Sequence, residues 1–191
     1  MRWFRSCDAA YAFLWEGDAQ PPARWHGAGR GPVHYLADTP AGAWAEVIRH
    51  EAITDEGDLA DVRRALWVIE VPDEDVRAAA RVRLPRAIIT GGTDSYARCQ
   101  AHADRLRGTG AAAILAPSAA LDAGSAGGSH TDRGVRPAAA ADGRVVALFG
   151  PRPDLVGWPV VTGAPPPNLL EVVRHLRPDA CGADPPPQAP G

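Results

Sequence analysis

Residues 24–50, RWHGAGRGPVHYLADTPAGAWAEVIRH, leave this chain little freedom of fold. A glycine-containing turn (Gly27, Gly29, Gly31) runs into a short strand at 32–37, PVHYLA, whose β-branched and aromatic residues suit a pleated surface. Asp38-Thr39-Pro40 then starts a helix, with a capping side chain followed by proline in the first turn, where its missing N–H is not needed. Trp44, Val47 and Ile48 recur at helical spacing and predict a buried stripe, with Glu46 off that stripe.

The remaining segments alternate without the regularity of βαβ units. Residues 1–23 read as an edge strand or short helix followed by a polar loop that ends in Gln20-Pro21-Pro22. ALWVIEV at 65–71 is a strand stopped by Pro72, and 73–80 is a short helix or turn. Residues 94–107 read as a helix with an Asp or Ser start, stopped by Gly108 and Gly110. AAAILA at 111–116 is a buried strand running into Pro117-Ser118, and 145–149 is the last clear strand. Residues 119–143, rich in Ala and Gly, read as a long loop. Asn168 is placed to cap a short terminal helix at 168–176, and the Pro-rich segment 178–191 is expected to be disordered. Mixed strands and helices in this order predict an α+β fold with a largely antiparallel sheet and flanking helices. One domain over 1–177 suits a chain of 191 residues.

Composition removes several function classes. The net charge is -3, which argues against a nucleic-acid polyanion as direct partner. Lysine is absent, so every basic residue besides histidine is arginine. Cys7, Cys99 and Cys181 are odd in number, widely spaced and without CxxC spacing, which argues against a disulfide framework or a zinc site and fits a reducing cytosol. The N-terminal segment lacks the apolar run of a signal peptide, and no run approaches the length of a membrane span, so a soluble cytoplasmic protein is expected. The six histidines lack HExxH spacing, and neither a Rossmann fingerprint nor a Walker loop is present.

The candidate site residues lie mostly on the strand–helix unit. Arg24 can grip phosphate in a bidentate fork. Tyr35 offers a ring face for stacking. Glu46 can hold a ribose hydroxyl and steady positive charge developing on a sugar. A site for an anionic, aromatic, sugar-bearing ligand needs that set. His26, after Arg24-Trp25, could touch the same ligand, although a lone loop histidine is ordinarily exposed to solvent. His34 follows period two and faces away from Tyr35. Ser118 stands at the mouth of a strand, where side chains reach a cleft from rigid backbone; the alternative is a serine capping the next turn. It lacks the GxSxG elbow of a serine hydrolase.

In order and spacing the pieces resemble the RES domain family, named for its Arg, Glu and Ser. The family pattern is an arginine near the N-terminus, a GRWN-like turn, a strand with VVYxA, a helix ending in ALLE and, much later, a strand leading to VPS. These read here as Arg5, ARWHG with Arg24, PVHYLA with Tyr35, AGAWAEV with Glu46, and ILAPS with Ser118. LPRA at 84–87 is similar to the family's LP after its middle strand. The resemblance covers about residues 2–160; His26 stands where the family has Asn, and the loop after Ser118 matches poorly.

The resemblance implies an ADP-ribosyltransferase-like fold and an activity that degrades NAD+ by phosphorolysis or hydrolysis. It implies a toxin paired with a helix-turn-helix antitoxin. No cofactor is implied: NAD+ would be the substrate and inorganic phosphate a possible co-substrate. Arg24, Glu46 and Ser118 would carry catalysis, and Arg5, Tyr35 and His26 would bind the substrate. A mono-ADP-ribosyltransferase acting on a protein would use the same arginine and glutamate, and a catalytically silent nucleotide-binding module would bind NAD+ without releasing nicotinamide.

Overall fold

The computed structural model describes residues 1–17 and 19–176. Among these, the apolar strands β1 (Arg2–Asp8), β2 (Val33–Ala37), β3 (Arg64–Glu70), β4 (Ala80–Arg81), β5 (Ala113–Pro117), β8 (Arg144–Phe149) and β9 (Val156–Gly163) assemble into one seven-stranded sheet. Their order in the sheet is β4-β5-β8-β2-β1-β3-β9. A separate exposed ribbon pairs β6 (Ser129–Thr131) with β7 (Val135–Pro137). The helices are α1 (Pro40–His50), α2 (Glu56–Ala60), α3 (Asp73–Ala78), α4 (Arg86–Thr90) and α5 (Tyr96–Gly108). Every strand pair is antiparallel except β4 with β5. The fold is therefore mixed α+β with a largely antiparallel sheet and flanking helices.

The start of α1 follows the sequence closely. Thr39 is the N-cap, its Oγ1 accepts the Gly42 N–H at 3.0 Å, and Pro40 opens the first turn. Gly42 allows the helix to lie close on β2: a Cβ there would stand 3.0 Å from the Ala37 Cβ. Trp44, Val47 and Ile48 pack with Leu59, Leu66 and Leu121. On β2, Val33 packs with Cys99 and Ala103 of α5, and Ala37 packs with α1. Leu36 joins Trp3, Ile69 and Leu148 on the opposite face. The period of two thus gives the sheet two buried faces, with α1 and α5 on the same one.

Along the middle of the sheet the ladder is uneven. β1 pairs β3 over its whole length, from Arg2–Glu70 to Asp8–Arg64, and β2 pairs β8 from Val33–Phe149 to Ala37–Val145. β1 and β2 meet at a single register pair, Phe4 with Ala37. The two halves of the sheet splay at that seam.

Several expectations are corrected. The N-terminal strand is not an edge: β1 lies between β2 and β3. The last strand is β9, not β8; Pro159 and a register shift opposite Leu66 and Trp67 hide its alternation. The segment 119–143 contains the β6–β7 ribbon. The terminal helix is a 3-10 turn, Pro167–Glu171, without a side-chain cap from Asn168. The expected helix at 94–107 begins as a 3-10 turn, Thr93–Ser95, before α5. The Pro-rich segment 178–191 and Cys181 lie outside the described residues. Among the described residues no helix is long and apolar enough to cross a membrane.

Candidate active site

A cavity of about 190 Å³ opens where the sheet splays, between α1, the N-terminus of α5 and the turn at 23–26. Arg5, Arg24, Tyr35 and Glu46 all line it, so the structure brings these four predicted residues together. Trp25 and Tyr96 add aromatic wall, and Arg49 and His50 add charge from the last turn of α1. Arg49 and His50 fall three and four residues after Glu46, one helical turn away on the same face, and that spacing is the signal by which the sequence could have shown them.

Glu46 projects from α1 into the cavity, and 30% of its side-chain surface stays open there although protein surrounds its carboxylate. Burial raises its pKa above the usual carboxylate value; His50, Arg24 and Arg49 act in the opposite direction. The nearest basic side chain is His50, with Nε2 3.6 Å from the Glu46 Oε2. Neither Arg24 nor Arg49 makes an ion pair with Glu46 among the described residues.

The guanidinium groups of Arg24 and Arg49 converge on one backbone carbonyl. Arg24 Nη2 and Arg49 Nη2 donate to the Gly91 oxygen at 2.9 and 2.7 Å. Arg24 Nη1 also donates to Ser95 Oγ at 3.1 Å and to the Ile88 oxygen at 3.4 Å, and its guanidinium lies 4.7 Å over the Tyr96 ring. Arg49 donates further to the carbonyls of Thr90 and Arg174, and burial together with Arg24 lowers its pKa. Both arginines are buried, so the cavity wall carries two positive charges held by main-chain dipoles rather than by carboxylates. Arg5 is the third cation. Burial lowers its pKa, and its Nη1 has no hydrogen-bond partner among the described residues.

Tyr35 presents its ring to the cavity while its hydroxyl points at the 23–26 turn. The Trp25 N–H donates to Tyr35 Oη at 2.9 Å, and His26 Nδ1 lies 2.9 Å from the same oxygen. Burial raises the Tyr35 pKa far above that of a free phenol. His26 is fully buried, against the expectation of an exposed loop residue, and it does not line the cavity. Ser118 does not line it either. Its Oγ accepts the N–H groups of Ala120 and Leu121, both at 3.2 Å, so the hydroxyl closes a turn while the flanking Pro117 and Ala119 form the wall. Among the described residues no group of three His, Cys, Asp or Glu side chains is placed to hold a metal.

Three arginines, one carboxylate and four aromatic side chains around one cavity suit a ligand that is at once anionic, aromatic and sugar-bearing. The probable NAD(+) phosphorylase of Mycobacterium tuberculosis H37Rv is 35% identical over 111 residues, which cover 54% of this chain and 50% of that protein. The aligned segment thus spans about half the length of that relative. The crystal structure of the M. tuberculosis MbcT-MbcA toxin-antitoxin complex contains a chain of similar fold, with a TM-score of 0.52 and 21% identity over 89% of this chain and 86% of the other. The RES domain matches residues 2–167, from the first strand to the last 3-10 turn. The chain belongs to the RES domain family.

Proposed function

We propose that this chain degrades NAD+ by cleaving the bond between nicotinamide N1 and the ribose C1′. Glu46 carries the reading: it is a carboxylate open to a cavity whose other walls are cationic and aromatic. As the glycosidic bond breaks, its electron pair leaves with nicotinamide, which departs neutral and needs no general acid. The ribose becomes oxocarbenium-like, and the Glu46 carboxylate stabilises that charge. Arg24 and Arg49 favour the pyrophosphate, and Tyr35 flanks the nicotinamide ring.

Phosphate is the preferred acceptor. The unpartnered Arg5 Nη1 supports an anion beside the ribose, and the M. tuberculosis relative named as a probable phosphorylase supports the same choice. A phosphate oxygen then bonds to C1′ and gives ADP-ribose-1″-phosphate, whereas water would give ADP-ribose. A protein antitoxin is the proposed partner, supported by the MbcT-MbcA likeness.

The test is NAD+ consumption by the purified chain with and without inorganic phosphate, with products identified by mass. Phosphate-dependent loss yielding ADP-ribose-1″-phosphate is expected. Loss independent of phosphate would make the chain a hydrolase. Transfer of label from NAD+ onto protein would replace this reading with ADP-ribosylation.

A further inference from the structure

We infer that His26 is a positioning residue: it locks the Tyr35 hydroxyl and so fixes the turn that presents Arg24 and Trp25 to the cavity. The inference rests on the NAD+ reading only for its kinetic consequences.

The hydrogen bonds determine the tautomer. His26 Nε2 lies 2.9 Å from the Pro21 carbonyl oxygen, which can only accept, so Nε2 carries the proton. In the neutral ring Nδ1 then has a lone pair, and it faces Tyr35 Oη at 2.9 Å. The phenol oxygen already accepts the Trp25 N–H at 2.9 Å, which leaves its own proton for His26 Nδ1. Every donor has one acceptor along the chain Trp25 N–H, Tyr35 O–H, His26 Nδ1. Burial of His26 favours the neutral ring this arrangement requires.

The turn is also held from the helix side. Gln100 of α5 donates its Nε2 protons to the Ala23 carbonyl at 2.9 Å and the His26 carbonyl at 3.2 Å. Ala23 and His26 close the turn with backbone hydrogen bonds of 3.0 and 3.3 Å. Between these clamps stand Arg24 and Trp25, both lining the cavity. With its hydroxyl engaged on the turn, Tyr35 has its ring, not its O–H, to offer a ligand. His26 therefore acts through Tyr35 and the turn and need not touch the substrate.

The direct test uses the full-length chain with ¹⁵N-labelled histidine. The His26 signal, assigned by its loss in His26→Asn, is expected to show the neutral Nε2–H tautomer at neutral pH. An imidazolium or an Nδ1–H tautomer would overturn the inference, whatever the chain does to NAD+. Kinetics give the second readout. His26→Phe and Tyr35→Phe are each expected to raise KM for NAD+ by ~10-fold with a smaller change in kcat, since a displacement of well under an ångström weakens the grip of Arg24 on the ligand. The double variant is expected to fall well short of the product of the two single effects, because both remove the His26–Tyr35 bond, while only Tyr35→Phe frees the Trp25 N–H and only His26→Phe frees the Pro21 carbonyl. His26→Asn is expected to stay within ~3-fold of wild type, its Oδ1 taking the place of Nδ1. Effects that multiply in the double variant, or a loss confined to kcat, would sink the positioning role. If His26→Phe fails to fold, Tyr35→Phe and the tautomer still decide it. A wild-type chain that releases no nicotinamide would end the NAD+ reading and leave the tautomer result standing.

Discussion

Replacing Glu46 with glutamine probes the charge and little else, since the side chain keeps its size and its hydrogen-bonding reach. A unit charge ~4 Å from a unit positive charge in surroundings of effective dielectric ~20 interacts by ~4 kcal/mol. Only part of that is new in the transition state, because bound NAD+ already carries positive charge on its nicotinamide ring. A differential of ~2–4 kcal/mol corresponds to a loss of roughly 30- to 1,000-fold in turnover. NAD+ affinity should change far less, since Arg24 and Arg49 remain.

The raised Glu46 pKa gives this prediction a pH signature. The ionised form is the active one, so wild-type kcat/KM should fall as pH drops through the raised value, above the range of an ordinary glutamate. Glu46→Gln should lack that limb. Stability runs the other way: a raised folded-state pKa favours the folded chain below the ordinary glutamate pKa, and that benefit disappears as pH rises through the folded value. At neutral pH the variant should therefore melt no lower than wild type. Single-turnover nicotinamide release from pH 5 to 8 reads the acid limb of kcat/KM at subsaturating NAD+ and the chemical step at saturating NAD+, and calorimetric titration reads the affinity. A variant within threefold of wild-type turnover, or one that keeps the acid limb, would refute the role given to Glu46.

Arg24→Ala should raise KM for NAD+ or for phosphate by at least ~10-fold and also lower stability, because the Gly91 and Ile88 carbonyls and Ser95 lose a charged donor; steady-state kinetics with a thermal melt would show both, and unchanged kinetics would remove Arg24 from the site. Thr39→Ala should cost ~0.5–2 kcal/mol in urea unfolding by leaving the Gly42 N–H without its cap. Trp44→Ala should cost ~3–5 kcal/mol by the same assay, because the indole is buried among Leu121, Leu169 and Ile48.

The strand–helix unit was legible because local rules agreed over it. Alternation, a capping threonine, a proline at the helix start and an apolar stripe all pointed to β2 followed by α1. Arg24, Tyr35 and Glu46 met in one cavity for the same reason: three consecutive short elements leave few ways to arrange them. β1 was harder to place, since Arg5 in its centre suggests an edge or a surface, whereas the structure buries that guanidinium. Arg49 stands in the last turn of α1, where a basic residue suits the helix C-terminus whatever else it touches; its partners at 90–91 and 174 are set only by tertiary packing. Ser118 and His26 turned on hydrogen-bond partners. A serine at a strand end fits a cleft or a turn equally well in sequence, and the backbone N–H groups of Ala120 and Leu121 engage it here. His26 can be buried because the Pro21 carbonyl accepts on one side of its ring and the Tyr35 hydroxyl meets it on the other.

The outermost strand has a consequence for how this protein keeps to itself. β9 pairs with β3 on one side and, among the described residues, with no strand on the other, while Val156, Trp158, Val160 and Val161 are about half exposed. A long apolar edge of that kind is a template for intermolecular pairing and fibre growth. Pro159 removes one N–H from it, and Val160 has no register partner between Leu66–Val161 and Trp67–Pro159. An incoming strand would meet a missing donor and a break in the pleat at the same point. Deleting Val160, which would straighten that bulge, or replacing Pro159 with valine, which would restore the donor, would convert a guarded edge into a sticky one.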